Sequence, residues 1–124
     1  MHEAMTEKTV LVVDDSPISL RHAVGILKER YRVACAKSGQ MALGYLERQI
    51  PDLILLDVNM PEMDGLAVFR RLRERDDTKG IPVLFLTGLE DSEFGEKLAG
   101  ISSELIIQKP PQPKYLLERV AASL

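Results

Sequence analysis

Five short apolar runs constrain this chain more than any other feature: Val10–Val13, Val33–Ala36, Leu53–Leu56, Val83–Leu86 and Leu105–Ile107. Most are continuous rather than alternating, which is how strands covered on both faces read. The segments between them have helical period. Leu20, Val24 and Leu27 share one face of the first, and Ala42, Leu46 and Gln49 line up on the second. Leu66, Phe69 and Leu72 stripe the third, Phe94, Leu98 and Ile101 the fourth, and Leu116, Leu117 and Val120 the fifth. Strand and helix in strict alternation predict an α/β fold, a (βα)5 doubly wound five-stranded parallel sheet with right-handed crossovers and helices on both faces.

Local signals agree with that order. Ser16 followed by Pro17 is an N-cap with proline at the first helical position, so the first helix starts directly after the first strand. Ser38 can cap the second helix and Pro51 stops it, and Asp91 or Ser92 can cap the fourth. The 124 residues are enough for one full-sized core. We expect a polar, disordered tail over residues 1–8 and a single domain over residues 9–124.

Composition removes several classes. A net charge of −3 and a pI near 5.4 argue against a nucleic-acid-binding surface. No apolar run is long enough to span a bilayer and the N-terminus has no signal-peptide core, so a cytoplasmic protein without membrane contact is expected. A single cysteine, Cys35, reads as inert core and fits a reducing compartment; with only two histidines, a zinc site is disfavoured. The arginines Arg70, Arg71, Arg73 and Arg75 interleave with Glu74, Asp76 and Asp77 and read as a solvated helix end. His22 falls on an exposed helix face, and Met60-Pro61-Glu62-Met63 reads as loop packing.

In open parallel sheets ligands bind outside the carboxyl ends of the strands, at a topological switch point. The residues there are Asp14 and Asp15 after the first run, Asp57 after the third, Thr87 and Gly88 after the fourth, and Lys109 and Pro110 after the fifth. Clustered carboxylates need a compensating cation. An all-oxygen donor set favours Mg²⁺ or Mn²⁺, with Asp15 and Asp57 able to supply carboxylates and the following loop a backbone carbonyl. Thr87 and Lys109 are donors suited to phosphoryl oxygens. A carboxylate beside a metal and facing a phosphate donor can become an aspartyl phosphate. A flavin or nucleotide site is disfavoured, because the loop "DDSPIS" would repel phosphate where a Gly/Ser-rich cradle is needed.

The blocks "VLVVDDSPISLR", "PDLILLDVNMPEMDGLAVFRRLR", "IPVLFLTG" and "QKP" together resemble the response-regulator receiver domains of two-component signalling. The resemblance runs from about Lys8 to Ala122; "DVNMPEMDGL" is similar to chemotaxis-type receivers, and "RDDTKGIPVLFLTG" to receivers attached to cyclic-dinucleotide enzymes. It implies a flavodoxin-like receiver fold with Asp57 as phosphoacceptor. The implied donor is a sensor histidine kinase or a histidine phosphotransfer protein, with self-catalysed phosphotransfer and dephosphorylation as the only catalysis. It also implies that Asp15 ligates Mg²⁺ directly, that Asp14 acts mainly through water, and that Asn59 lends its backbone carbonyl. Thr87 would move to the phosphoryl group, Lys109 would pair with the carboxylate and then the phosphate, and the peptide before Pro110 is often cis in the family. The implied recipient is a downstream effector or a C-terminal output domain missing from this chain, and a phosphorylation-dependent dimer is left open.

Three positions depart from the pattern. Ile106 stands where an aromatic is usual, Ala99-Gly100 comes two residues early before the last strand, and Pro111 follows Pro110 where an aromatic is common. With Gly88, Gly95 and Gly100 in the same region, the segment 89–103 is expected to be the least stable and to carry the switch. Two other functions stand beside the leading one. A small Mg²⁺-dependent phosphohydrolase would want a second acid two residues after Asp57, where Asn59 stands. A receiver that binds a partner without phosphorylation is opposed by the complete acidic set.

Overall fold

The computed structural model describes residues 7–88, Leu98 and residues 100–124. Strands β1 (Thr9–Val13), β2 (Arg32–Ala36), β3 (Leu53–Asp57), β4 (Val83–Thr87) and β5 (Ile106–Gln108) form one parallel sheet in the order β2-β1-β3-β4-β5. Four helices are described: α1 (Pro17–Leu27), α2 (Gly39–Leu46), α3 (Gly65–Glu74) and α4 (Pro113–Ser123). The helix expected on Phe94, Leu98 and Ile101, its cap at Asp91 or Ser92, and most of the segment 89–103 lie outside the described residues. Leu98 and Ile101 pack beside the α2/α3 layer. Of the expected tail, residues 1–6 also lie outside them. Within the described residues, the Lys8 carbonyl accepts from Arg32 N–H at 2.9 Å.

Side-chain alternation along each strand divides the core into two layers. Leu11, Val13, Ile54, Leu56, Val83 and Phe85 face α2 and α3, packing on Ala42, Leu46, Leu66, Val68 and Leu72. Val10, Val12, Leu53, Leu55, Leu84, Leu86 and Ile107 face α1 and α4, packing on Leu20, Leu27, Leu116 and Val120. Burial of β1, β3 and β4 on both faces is what made their sequences continuous rather than alternating.

The caps form as expected. Ser16 Oγ accepts from Ser19 N–H at 3.2 Å and Ser38 Oγ from Met41 N–H at 3.0 Å. Three expectations need correction. Cys35 is exposed, one residue from the end of β2, which is an edge strand of the sheet. Leu105 belongs to a 3₁₀ turn (Ser103–Leu105), so β5 starts one residue later and ends at Gln108. Helix α2 ends at Leu46, leaving Gln49 beyond it and exposed.

The loop after β3 returns tightly. Gly65 N–H donates to the Val58 carbonyl at 2.9 Å, and a Cβ at Gly65 would collide with the Asp57 carbonyl oxygen. Gly25, inside α1, has open space where its Cβ would be. The two glycines should therefore respond oppositely to alanine. Gly65→Ala should lower stability by about 2 kcal/mol or more, since backbone must move. Gly25→Ala should raise it by about 0.5–1 kcal/mol through helix propensity. Urea denaturation of both variants measures the pair of signs.

Candidate functional site

Strand parity brings the charged groups together. Asp14 continues the row Val10–Val12 and Asp57 the row Leu53–Leu55, and Lys109 follows Ile107. All three therefore leave the sheet on the α1/α4 side. Because β1 and β3 are neighbours with Val13 opposite Leu56, Asp14 and Asp57 emerge side by side at the point where the strand order reverses. Lys109 reaches them from beyond β4. Its Nζ lies 3.1 Å from Asp14 Oδ2 and 3.2 Å from Asp57 Oδ2.

The two carboxylates are nearly sealed from solvent, Asp14 at 0% and Asp57 at 2% exposure, while Asp15 stands exposed at the rim. Backbone donors orient them. Ser16 N–H donates to Asp14 Oδ1 at 3.0 Å, and Asn59 N–H reaches Asp57 Oδ1 at 3.4 Å. The same Ser16 that caps α1 thus also holds Asp14. Ligand oxygens of Asp14, Asp15 and Asp57 lie within 4.8 Å of one another. Asp14 Oδ2 is buried and receives no well-directed hydrogen bond, so its short approach to Lys109 is ionic contact that leaves a lone pair free. A buried carboxylate oxygen with spare acceptor capacity, among three acids and no nitrogen or sulfur ligand, fits a hard divalent cation such as Mg²⁺.

Burial and neighbouring charges together set the protonation of Asp57 and Lys109. Burial pushes the Asp57 carboxyl up to about 7, the neighbouring Asp14 charge pushes the same way, and Lys109 opposes both. Burial lowers the Lys109 ammonium, but the Asp57 and Asp14 carboxylates outweigh it and the net shift is upward. The contact with Lys109 does not offset what burial and the Asp14 charge cost the Asp57 carboxylate.

The remaining predicted residues are at the same edge with different engagements. Thr87 ends β4 on the opposite parity, and its hydroxyl donates to the Gly88 carbonyl at 3.2 Å. Lys109 N–H donates to the Thr87 carbonyl at 2.8 Å, and the Lys109–Pro110 peptide is cis. Asn59 is exposed in the loop after β3, and Ile106 is half-buried opposite Phe85. In that loop Glu62 has φ 69°, with Met63 N–H bonded to the Pro61 carbonyl at 2.7 Å, and Asp64 caps α3 by accepting from Ala67 N–H at 2.9 Å. Asp64 was missed as a cap although its signal, an aspartate before a helical stripe, is in the sequence. The contact of His22 with Pro111 has no sequence signal, since 89 positions separate the two.

Fold and site define an open-sheet α/β protein of the flavodoxin-like class with an acidic, lysine-braced site at its switch point. The sequence model of the response regulator receiver domain matches residues 10–121, and the chain belongs to that family. It is 37% identical over 125 residues to a probable cyclic di-GMP phosphodiesterase of Vibrio cholerae, covering 98% of this chain and 28% of the relative. It is 39% identical over 114 residues to the response regulator PleD of Caulobacter vibrioides, covering 90% of this chain and 25% of PleD. The chain thus spans about a quarter of the length of these curated relatives. Among solved structures, it superposes with a TM-score of 0.85 and 36% identity on the receiver domain of a signal transduction histidine kinase from Syntrophus aciditrophicus. That superposition covers 94% of this chain and 89% of the other. Receiver domains of this family serve two-component signalling and bind Mg²⁺ at an acidic site. No described helix is long and apolar enough to cross a membrane.

The raised Asp57 value sets a pH dependence of stability. The metal-free folded state holds a proton that the unfolded chain releases near 3.8, so this group's stabilisation is full below about pH 4 and is lost as pH rises through about 7. Asp57→Asn should remove that loss. In chelator, its advantage over wild type should grow from pH 4 to pH 7 and reach on the order of 2 kcal/mol. Mg²⁺ should narrow the gap by stabilising wild type. Urea melts across pH measure it; a variant no more stable than wild type at pH 7 would contradict a strained carboxylate.

Proposed function

We propose that this domain is a phosphorylation switch in which Asp57 accepts a phosphoryl group from a sensor histidine kinase or a histidine phosphotransfer protein. The observation that carries this is the buried Asp57 carboxylate, paired with Lys109 at 3.2 Å and flanked by Asp14 and Asp15 at the carboxyl edge. An Asp57 oxygen forms the new P–O bond as the P–N bond to the donor imidazole breaks, and the leaving imidazole nitrogen recovers a proton. The side chains of Asp14, Asp15 and Asp57 and the backbone carbonyl of Asn59 would hold Mg²⁺, which supplies positive charge against the carboxylates and the phosphoryl oxygens. Lys109 keeps its ammonium beside Asp57 through the transfer and then pairs with a phosphoryl oxygen. The Thr87 hydroxyl, now on the Gly88 carbonyl, is free to exchange that neutral bond for a charge-assisted one to phosphate. Phosphorylation replaces one buried charge with a larger one and so biases a two-state surface read by an effector or a linked output domain.

The alternative hydrolase chemistry lacks an acid at the place of Asn59 and would need turnover. Incubation with a small acyl phosphate and Mg²⁺ should add one phosphoryl group to the intact mass of wild type and none to Asp57→Asn. Lys109→Ala should slow labelling by about tenfold or more, the cost of losing one charged partner in a buried site. An unlabelled wild type would remove the proposal. So would sustained hydrolysis of a simple phosphate monoester.

A further inference from the structure

His22 projects from α1 at the exposed end of its layer, and the receiver chemistry described above gives it no part. Its Nε2 lies 3.1 Å from the Pro111 carbonyl. A carbonyl only accepts, so the imidazole donates from Nε2, and both the neutral Nε2–H form and the imidazolium can do so. The contact joins α1 to the loop that leaves Lys109.

That loop has few backbone donors of its own. In the stretch Pro110-Pro111-Gln112-Pro113 only Gln112 carries a backbone N–H. The Gln112 carbonyl is committed to α4, accepting from Leu116 N–H at 2.9 Å. Upstream, Lys109 N–H is held by the Thr87 carbonyl at 2.8 Å. The lysine backbone is therefore tied to β4 on one side, and on the other the chain is tied through Pro111 to His22. A groove of about 410 Å³ separates α1 from the loop, with Ile18, Ser19 and His22 on one bank and Pro110 and Pro111 on the other. The His22 bond spans it.

We propose that His22 is a positioning residue for Lys109: by donating to the Pro111 carbonyl across the α1 groove, it fixes the loop that aims the Lys109 ammonium between Asp14 and Asp57. Its effect on phosphorylation rests on the phosphoacceptor role of Asp57, whereas its effect on the charge of the site does not. A loosened Lys109 ammonium repels a divalent cation less and holds a phosphoryl oxygen less well. Two measurements on the same variant should therefore move in opposite senses.

The test uses wild type, His22→Ala, His22→Gln, Lys109→Met and the His22→Ala/Lys109→Met double variant. His22 is exposed, so its truncation removes little packing. Titration with MgCl₂, followed by amide chemical shifts, should show His22→Ala binding Mg²⁺ about two- to fivefold tighter than wild type. Labelling by acetyl phosphate should be about three- to tenfold slower, the range of one modest hydrogen bond. His22→Gln, whose amide can still donate, should return both toward wild type. With Lys109→Met as background, His22→Ala should leave Mg²⁺ affinity unchanged. Unchanged Mg²⁺ affinity in the single variant overturns the proposal. Weaker Mg²⁺ binding in both backgrounds also overturns it, since that is general loosening of the site. A wild type that takes no phosphoryl group would overturn the phosphoacceptor role instead, and the Mg²⁺ cycle would still decide the part played by His22.

Discussion

Two carboxylates buried side by side, with one ammonium between them, set the terms for the rest of this structure. Asp14 and Asp57 would repel strongly in a medium that screens poorly. Lys109 relieves that repulsion by standing about equally close to both, at 3.1 and 3.2 Å. The relief is partial, which is why burial still dominates the protonation of Asp57. An exposed site would lose most of this tension to water, and a fully neutralised one would have no call on a cation. The site is held between those limits.

Much of the surrounding architecture keeps that arrangement in place. Three strands, β1, β3 and β4, are buried on both faces and give the edge a rigid base. Ser16 caps α1 through its hydroxyl oxygen and orients Asp14 through its backbone N–H, so helix capping and site geometry depend on one residue. Gly65 lets the backbone turn back against Asp57 without a side chain in the way. The Lys109 loop, poor in donors because of its prolines, draws its support from α1 through His22. Structural and chemical roles meet in the same few residues because the functional groups end the core strands or follow directly after them.

Most of the fold was legible because its signals are local. Continuous apolar runs mark doubly covered strands, and Ser16-Pro17 and Ser38 mark helix starts, whatever the rest of the chain does. The site was legible for a related reason: the polar residue ending each run must lie on the carboxyl edge once the sheet is parallel. The errors have a different character. Cys35 reads like any other strand residue, and only the place of β2 at the sheet edge exposes it. Leu105 looks like the start of the last strand, and only pairing with β4 decides that β5 begins at Ile106. Gly65 looks like turn chemistry, yet its requirement comes from the Asp57 backbone it faces.

The sequence by itself determined the strand and helix order, the parallel sheet and the membership of Asp14, Asp15, Asp57, Thr87 and Lys109 in one edge. Periodicity and capping act over a few residues, and a parallel α/β chain leaves few places for polar strand ends. Only the tertiary structure decided which oxygens Lys109 meets, that Asp14 is sealed while Asp15 stands at the rim, and that His22 reaches Pro111. Those depend on register, on strand order and on side-chain parity across neighbouring strands, where a shift of one residue reverses the face a side chain takes. Distances of about 3 Å between groups far apart in the chain are settled by packing, not by any local pattern.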